Sequence, residues 1–276
     1  MHPTPILPDP DDPRLATEVE GIDESGRTVT TRVVTERPLT IFLDEREIVT
    51  AMTIGDHPAL LAVGYLTNQR LLDPDEIAGI DVDEEDGLIV VRTKTHRDVG
   101  DRMKRRVRTS GCAQGTVFAD VLKDFERVQL PESDRVRHSE LIALSAQIAN
   151  VPSLYLAAGA IHGAVLCEGT RMLAYFEDVG RHNAVDKIAG WMALNGVEPT
   201  GKTFYTTGRL TSEMVIKTVM MGLPVLASRS GFTAWGVELA RRAGLTLIGR
   251  MKGKRMLVLS GAQRIVHDVA RAEEAA

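Results

Sequence analysis

One stretch concentrates groups able to do chemistry. Residues 177–183 read Glu-Asp-Val-Gly-Arg-His-Asn: two acids, an arginine, a histidine and an asparagine around Gly180. A strand-like run, Met172 to Phe176, precedes it. The run that follows has apolar residues Ala184, Val185, Ile188, Ala189 and Met192 at helical spacing. Polar groups at a strand-to-helix junction suit an anion or a nucleotide, because free amides and the positive helix end point there. The same spacing also describes an ordinary helix entry, with Asp178 or Asn183 capping amides and Gly180 making the turn. Spacing alone leaves both readings open.

A second candidate is a thiol. The chain has two cysteines, too few for a disulfide framework or a Cys-rich zinc site, so both read as reduced. Cys112 lies between Gly111 and Gly115 at the end of a basic run from His96 to Arg108, in which Arg97, Arg102, Lys104, Arg105, Arg106 and Arg108 face only Asp98 and Asp101. A solvated face is the common fate of a charge run. Here it leads into a glycine-flanked cysteine, and nearby cations favour the thiolate. Cys112 is therefore the expected reactive residue. Cys167, inside the apolar run that starts at Ile161, reads as a small core residue.

Three loops, the opening stretch among them, are polar, glycine-bearing and close to expected helix starts: 177–183 with Arg181, 206–213 with Gly208 and Arg209, and 228–235 with Ser228, Arg229 and Ser230. Arginine forks fit phosphate oxygens and glycine lets backbone approach closely. Three such loops in one sheet favour a phosphate-rich ligand. Arg250-Met251-Lys252-Gly253-Lys254-Arg255 is either a solvated hairpin or a pyrophosphate contact. His162, beside Gly163 in an apolar strand, is either a hydrogen-bonded core histidine or a ligand contact, with Gly163 leaving room for the ligand. The zinc-deaminase pattern fails, because no Glu stands two residues after His182 and the next helix starts lack cysteine. A Gly-x-Ser-x-Gly elbow and a P-loop are also absent. No metal ligands are assigned.

The elements that must position these groups fall into two halves. Residues 1–25 read as a flexible tail rich in proline and acids, residues 26–135 as a small α+β domain ending in the Cys112 loop, and residues 136–276 as an α/β/α domain. The small domain opens with an expected antiparallel meander (Thr28–Val34, Leu39–Leu43, Ile48–Met52), then a helix from Pro58 to about Leu72 and a strand from Gly87 to Arg92. In the second half, helices at 139–148, 181–195, 210–221 and 233–243 alternate with apolar strands at 158–166, 171–176, 203–206, 224–228, 245–248 and 255–259. That alternation implies a sheet covered on both faces. In such sheets, ligands sit at the carboxyl ends of strands.

Composition sets the remaining bounds. A hydrophobic fraction of 43% and a charged fraction of 26% suit a soluble globular chain, and the net charge of -5 argues against general nucleic-acid binding. No apolar run is long enough to span a membrane and the N-terminus lacks a secretory pattern, so a cytoplasmic location is expected. The apolar helix at 210–221 and the short first domain make a homodimer the expected assembly.

The segment Glu177 to Lys187 closely resembles the signature of the formate dehydrogenase accessory sulfurtransferases, the FdhD family. Gly208-Arg209 with Glu213-Met214, Gly222 to Ser230, Glu238-Leu-Ala, Gly244 to Gly249, and the stretch from Glu36 to Leu72 are also similar to it. This resemblance implies that the second domain is a cytidine-deaminase-like α/β/α sandwich that has lost its zinc ligands. It implies a sulfur carrier that takes a persulfide from a cysteine desulfurase onto Cys112. The sulfur then passes to the molybdenum bis(molybdopterin guanine dinucleotide) cofactor, bound as substrate, for the formate dehydrogenase catalytic subunit. It also implies that 250–255 is the cofactor-binding stretch. The loop residues Gly180, Arg181, His182, Asn183, Gly208, Arg209, Ser228, Arg229 and Ser230, with His162, are expected to join it on the chemistry described above. The family loop commonly carries Cys-x-x-Cys, and Gly115 stands here in place of the second cysteine. That substitution keeps open an alternative, a cofactor-binding chaperone that moves no sulfur.

Overall fold

Strands carry the first half of the chain in the computed structural model, which describes residues 5–96, 99, 106–108 and 116–269. Strands β1 (Ala16–Ile22) and β2 (Thr28–Val34) form an antiparallel hairpin of their own. Strands β3 (Arg37–Leu43) and β4 (Arg46–Thr53) lead into helix α1 (Pro58–Asn68) and then β5 (Ile77–Asp83) and β6 (Leu88–Thr93). These strands make a four-stranded sheet in the order β4-β3-β6-β5, with β6 parallel to β3. The expected meander is thus corrected to two sheets. Helix α1 crosses between β4 and β5, and a crossover of that kind is what a parallel neighbour requires.

The proline-rich start is not a free tail up to residue 25. Residues 16–22 are β1, and Ile6 bridges Ala174, with Ile6 N donating to Leu173 O (3.3 Å) and Tyr175 N donating to Ile6 O (2.9 Å). Buried Leu15 and partly buried Ile6 anchor this strap between its prolines. Apolar anchors override the compositional signal for disorder.

Strands β7 (Arg106–Arg108) and β8 (Thr116–Phe118) pair antiparallel and lead into α2 (Ala119–Phe125). The Cys112 loop between these strands, residues 109–115, lies outside the described residues, as do Arg97, Asp98, and residues 100–105 of the basic run. The second half follows: β9 (Val136–Arg137), α3 (His138–Asn150), α4 (Leu154–Ala158), β10 (His162–Glu168), β11 (Arg171–Asp178), α5 (Arg181–Leu194), β12 (Lys202–Thr206), α6 (Ser212–Met220), β13 (Val225–Ser228), α7 (Ala234–Ala243), β14 (Thr246–Lys252), β15 (Arg255–Ser260) and β16 (Ile265–Val266). The strand expected from Ala158 begins only at His162. Residues 154–158 form a helical turn, with Ser153 Oγ accepting from Leu156 N, 3.4 Å.

The main sheet has the order β11-β10-β12-β13-β14-β15, parallel from β12 to β14 and antiparallel elsewhere. Its side chains alternate between two cores. Ala164, Leu166, Phe204, Leu226 and Leu247 face α5, α6 and α7, whereas Val165, Cys167, Tyr205, Ala227 and Ile248 face α3. The sheet is therefore covered on both faces, as its near-continuous apolar strands require. No helix among the described residues is long and apolar enough to cross a membrane.

Both halves share the first of these cores, because α1 lies directly on α5. Two glycines allow that approach. A Cβ on Gly64 would fall 1.7 Å from Asp186 O, and one on Gly190 would fall 2.0 Å from Leu60 O. The segment between the halves is also held. Buried Arg264 donates to Gly244 O (2.6 Å) and to Pro131 O, while Leu130 N donates to Ala243 O (3.0 Å). Overpacking a core typically costs about 1–3 kcal/mol, and here the clash is with backbone. Gly64→Ala is expected to destabilise the protein by at least about 3 kcal/mol, read as a lower urea midpoint. Ala62→Gly on the same helix, which removes a methyl without a clash, should cost less.

Candidate functional site

Strand register brings the polar loops together. His162 pairs with Asp178, Ala164 with Thr206, and Thr206 with Ser228, so β11, β12 and β13 all end on the edge where β10 begins. The loops carrying Arg181, Arg209 and Arg229 leave from that edge, and β14 runs parallel to β13 toward it, delivering the 250–255 hairpin. Arg250, in a left-handed conformation at φ 54°, donates its N–H to Ser230 O at 2.8 Å.

On one face of this edge lies a cationic corner. The loop after β12 rests on Arg181: a Cβ on Gly208 would fall 3.0 Å from Arg181 Cβ and Cδ. Ser228 Oγ donates to Gly208 O (2.7 Å) and accepts from Ser230 N (2.9 Å), and Gly208 N donates to Thr206 Oγ1 (3.1 Å). Gly208, Ser228 and Ser230 thus shape the loop from within, while Arg209 is exposed. Burial lowers the pKa of His162, and Arg181 and Arg209 lower it further. His182 is shifted well down, first by burial and then by Lys217, Arg181, His162 and Arg209.

Beneath the corner the signature motif is tied to the first half of the chain. Buried Asp178 accepts from Thr53 Oγ1 (2.5 Å), Gly180 N (3.2 Å) and Asn183 Nδ2 (3.0 Å), and it pairs with Lys187 Nζ at 2.6 Å. Asn183 Nδ2 also donates to Met52 O (2.7 Å), and Lys187 also pairs with Asp56. Burial alone would push Lys187 down, yet Asp178 and Asp56 carry it above the ordinary lysine range. One helical turn on, Asp186 accepts from Asn68 Nδ2 (2.7 Å) and pairs with Lys217 (2.6 Å). The two readings of the motif therefore divide by residue. Asp178, Asn183, Asp186 and Lys187 hold the fold, and Gly180, Arg181 and His182 border the corner.

On the opposite face, between α3, α4 and the sheet, is a cavity of about 410 Å³. Its walls include Ser145, Tyr155, Tyr175, Tyr205, Thr207 and Arg229, with Met251, Lys252 and Gly253 from the hairpin. The Arg229 guanidinium lies over the Tyr155 ring, 5.2 Å from its centroid, a cation–π arrangement. The volume is in the range of small-molecule sites. Lys254 and Arg255 are exposed beside it. Gly163 does not leave room for a ligand. The Tyr175 ring occupies that space, with Cε2 2.8 Å from where a Cβ would stand. Glu177 lies below, its carboxylate accepting from Leu154 N (2.7 Å) and Tyr155 N (3.0 Å), and burial raises its pKa.

Of the two thiols, Cys167 is fully buried among Val165, Tyr175 and Tyr205, and burial pushes its pKa up. Cys112 is outside the described residues. Sequence reasoning missed the three tyrosines: Tyr155 lies in a helical turn just before the expected strand, and Tyr175 and Tyr205 are concealed in apolar strands. Their signal is the alternation that puts Tyr175 and Tyr205 on the α3 face. It also missed Thr53, Asp56, Asn68 and Lys217, whose partners are distant in sequence.

Taken together, these elements define an α/β protein that presents arginine- and glycine-bearing loops and a tyrosine-lined cavity at one sheet edge. The chain belongs to the FdhD/NarQ family, whose model matches residues 34–266. It is 32% identical over 242 residues to the sulfur carrier protein FdhD of Nocardia farcinica, covering 83% of this chain and 86% of that protein. It is 28% identical over 237 residues to the protein of the same name from Listeria innocua, covering 84% and 91%. A crystal structure from Desulfotalea psychrophila, described as a formate dehydrogenase accessory protein, superimposes with a TM-score of 0.75 at 26% identity, covering 91% of this chain and all of that one.

Two stability measurements follow. Removing one partner of a buried ion pair costs about 3–5 kcal/mol, whereas replacing both with apolar groups is often near neutral. Lys217→Met should lower stability by about that amount, and Lys217→Met with Asp186→Leu should regain much of it in urea unfolding. Because His162 and His182 have lowered pKa values in the folded protein, the unfolded chain binds more protons below about pH 6.5. Their contribution is full above that pH and is lost as pH falls. The urea midpoint should drop between pH 7.5 and 5.5, with a smaller drop in His182→Gln.

Proposed function

We propose that this chain is a sulfur carrier in the maturation of formate dehydrogenase. It would accept sulfur from a cysteine desulfurase on Cys112 and pass it to a molybdenum bis(molybdopterin guanine dinucleotide) cofactor bound as substrate. The relatives named sulfur carrier proteins support the role. The observation that carries the assignment of the residue is the burial of Cys167: of the two thiols in the sequence, it is sealed in the core with its pKa raised. A thiolate is the nucleophile in sulfur exchange, so a persulfide on this chain falls to Cys112. The Cys112 thiolate attacks the outer sulfur of the donor's persulfide. A new S–S bond forms, the donor's S–S bond breaks, and the donor leaves as a thiolate. One cysteine suffices for that step, so Gly115 in place of a second thiol removes only disulfide-type handover.

For the cofactor, the reading assigns the phosphates to the corner of Gly180, Arg181, His182, Gly208 and Arg209. The cavity walled by Arg229, Met251, Lys252 and Gly253 takes an adjoining part of the ligand, with Lys254 and Arg255 beside it. Arginine forks and glycine backbone suit phosphate oxygens, and tyrosine and arginine faces suit a planar ring. The reading takes the second half of the chain as a cytidine-deaminase-like sandwich that has lost its zinc ligands. A homodimer, a cysteine desulfurase donor, the formate dehydrogenase catalytic subunit as recipient and a cytoplasmic location complete the reading. Gly115 favours one rival, a cofactor-binding chaperone that carries no sulfur.

Incubation with a cysteine desulfurase and cysteine, followed by intact mass measurement, separates the two. The expected result is a mass gain of one sulfur atom, removed by a reducing agent and absent from Cys112→Ala. No gain in the wild type, or an equal gain in Cys112→Ala, defeats sulfur transfer through Cys112. Formate dehydrogenase activity that survives Cys112→Ala but not Arg181→Ala would favour the chaperone.

A further inference from the structure

His182 has a setting that neither fold maintenance nor phosphate contact explains. Its side chain retains only 15% exposure at the start of α5, and its Nε2 lies 3.3 Å from Glu213 Oε2 at the start of α6. Despite that proximity, Nε2 makes no hydrogen bond to any described group. The carboxylate stands in ion-pair range of Nε2, yet that nitrogen has no hydrogen-bond partner among the described residues. A buried polar atom of this kind carries a desolvation cost that native proteins rarely leave uncompensated.

The groups facing the ring come from every element around it. Arg181 adjoins it on α5, Glu213 and Lys217 lie on α6, His162 stands at the start of β10, and Arg209 belongs to the loop after β12. Lys217 is engaged by Asp186 at 2.6 Å and lies 4.0 Å from Glu213. Among the described residues, Glu213 is thus the carboxylate paired with a ring otherwise faced by Arg181, Arg209, Lys217 and His162. Burial first, and then this positive potential, lowers the proton affinity of the imidazole. A multiply charged anion seated against Arg181 and Arg209 would offset their repulsion of an imidazolium and so favour a proton on the ring beside Glu213.

We propose that the corner binds its anionic ligand together with one proton, which His182 takes up and holds against Glu213. The inference rests on the reading that the ligand carries phosphate-type oxyanions, and it adds regulation at that site. The atoms balance simply: the proton comes from solvent, the new N–H is on the imidazole, and the anion itself is unchanged. Binding and protonation are then reciprocal. The anion raises proton affinity at His182, and acidity tightens the anion by up to tenfold per pH unit for a single linked proton. Release at higher pH would discharge proton and anion together, so handing over the ligand does not leave an unpaired imidazolium in the core.

Inorganic sulfate is a suitable probe, because it stays divalent across the window in which histidine titrates. In the full-length wild type, the His182 imidazole signals are followed by NMR through a pH titration without sulfate and at saturating sulfate, which requires no substitution. The expected result is a pKa rise of at least about one unit with sulfate, accompanied by shifts of the Gly180 and Gly208 amides. Sulfate affinity should tighten as pH falls in the wild type and in His162→Gln. The dependence should be flattened in His182→Gln and weakened in Glu213→Gln. An unchanged His182 titration, a pH dependence that follows His162 instead, or absence of sulfate shifts at Gly180 and Gly208 overturns the proposal. Persulfide formation on Cys112 reads a different residue, so sulfur addition with an unmoved His182 would sink this inference and leave the carrier function standing.

Discussion

The buried carboxylate of Asp178 is the constraint on which the rest of the structure depends. It ends β11, and four groups converge on it: Thr53 from β4, Gly180 N at the turn, and Asn183 and Lys187 on α5. A charge fully out of water is tolerable only when it is paired and hydrogen-bonded. Each of these bonds also fixes a direction of the chain. The turn at Gly180 is fixed by the amide, the first turn of α5 by Asn183, and the distance between the two sheets by Thr53 and Lys187. Arg181 and His182, which border the corner, inherit their positions from this hidden half.

The contact of α1 with α5 works on the same elements at a larger scale. Because Gly64 and Gly190 bring the backbones together, the first half of the chain becomes part of the wall behind the corner. Asn68 at the end of α1 reaches Asp186, which in turn holds Lys217 on α6. A polar chain thus runs from α1 through α5 to α6, beneath His182 and Glu213. Displacing α1 would therefore alter the electrostatics of the site through Asp186 and Lys217.

Legibility in the sequence followed the range of the interactions. Apolar periodicity located α5, α6 and α7 and the strands between them, because each pattern is local and strongly one-sided. Loop chemistry located Arg181, Arg209, Arg229 and the 250–255 hairpin for the same reason, and the register of β10 to β13 brought their loops to one edge. Pairings between distant segments were not legible. That β6 lies parallel to β3 depends on a crossover, and that Asn183 serves Met52 depends on residues 131 positions apart. Gly163 is instructive: a glycine beside a histidine suggests space, but Tyr175 on the paired strand fills it. Composition misled at the N-terminus, where prolines suggested a tail and two apolar residues anchored a strap.

That strap has a consequence for solubility. β11 is an outer strand of the main sheet, and its unpaired amides and carbonyls would template pairing with another chain. Ile6 takes up the Leu173 carbonyl and the Tyr175 amide, and the prolines at positions 5, 8 and 10 have no N–H with which to extend the ladder further. The other outer strand, β15, pairs with β14 through two irregularities of register that bend the ribbon. One margin is capped by a segment that precedes residues 34–266, the span the family model matches, and the other is warped. By these two different means, a sheet built to gather loops at one end is guarded against stacking side by side with its own copies.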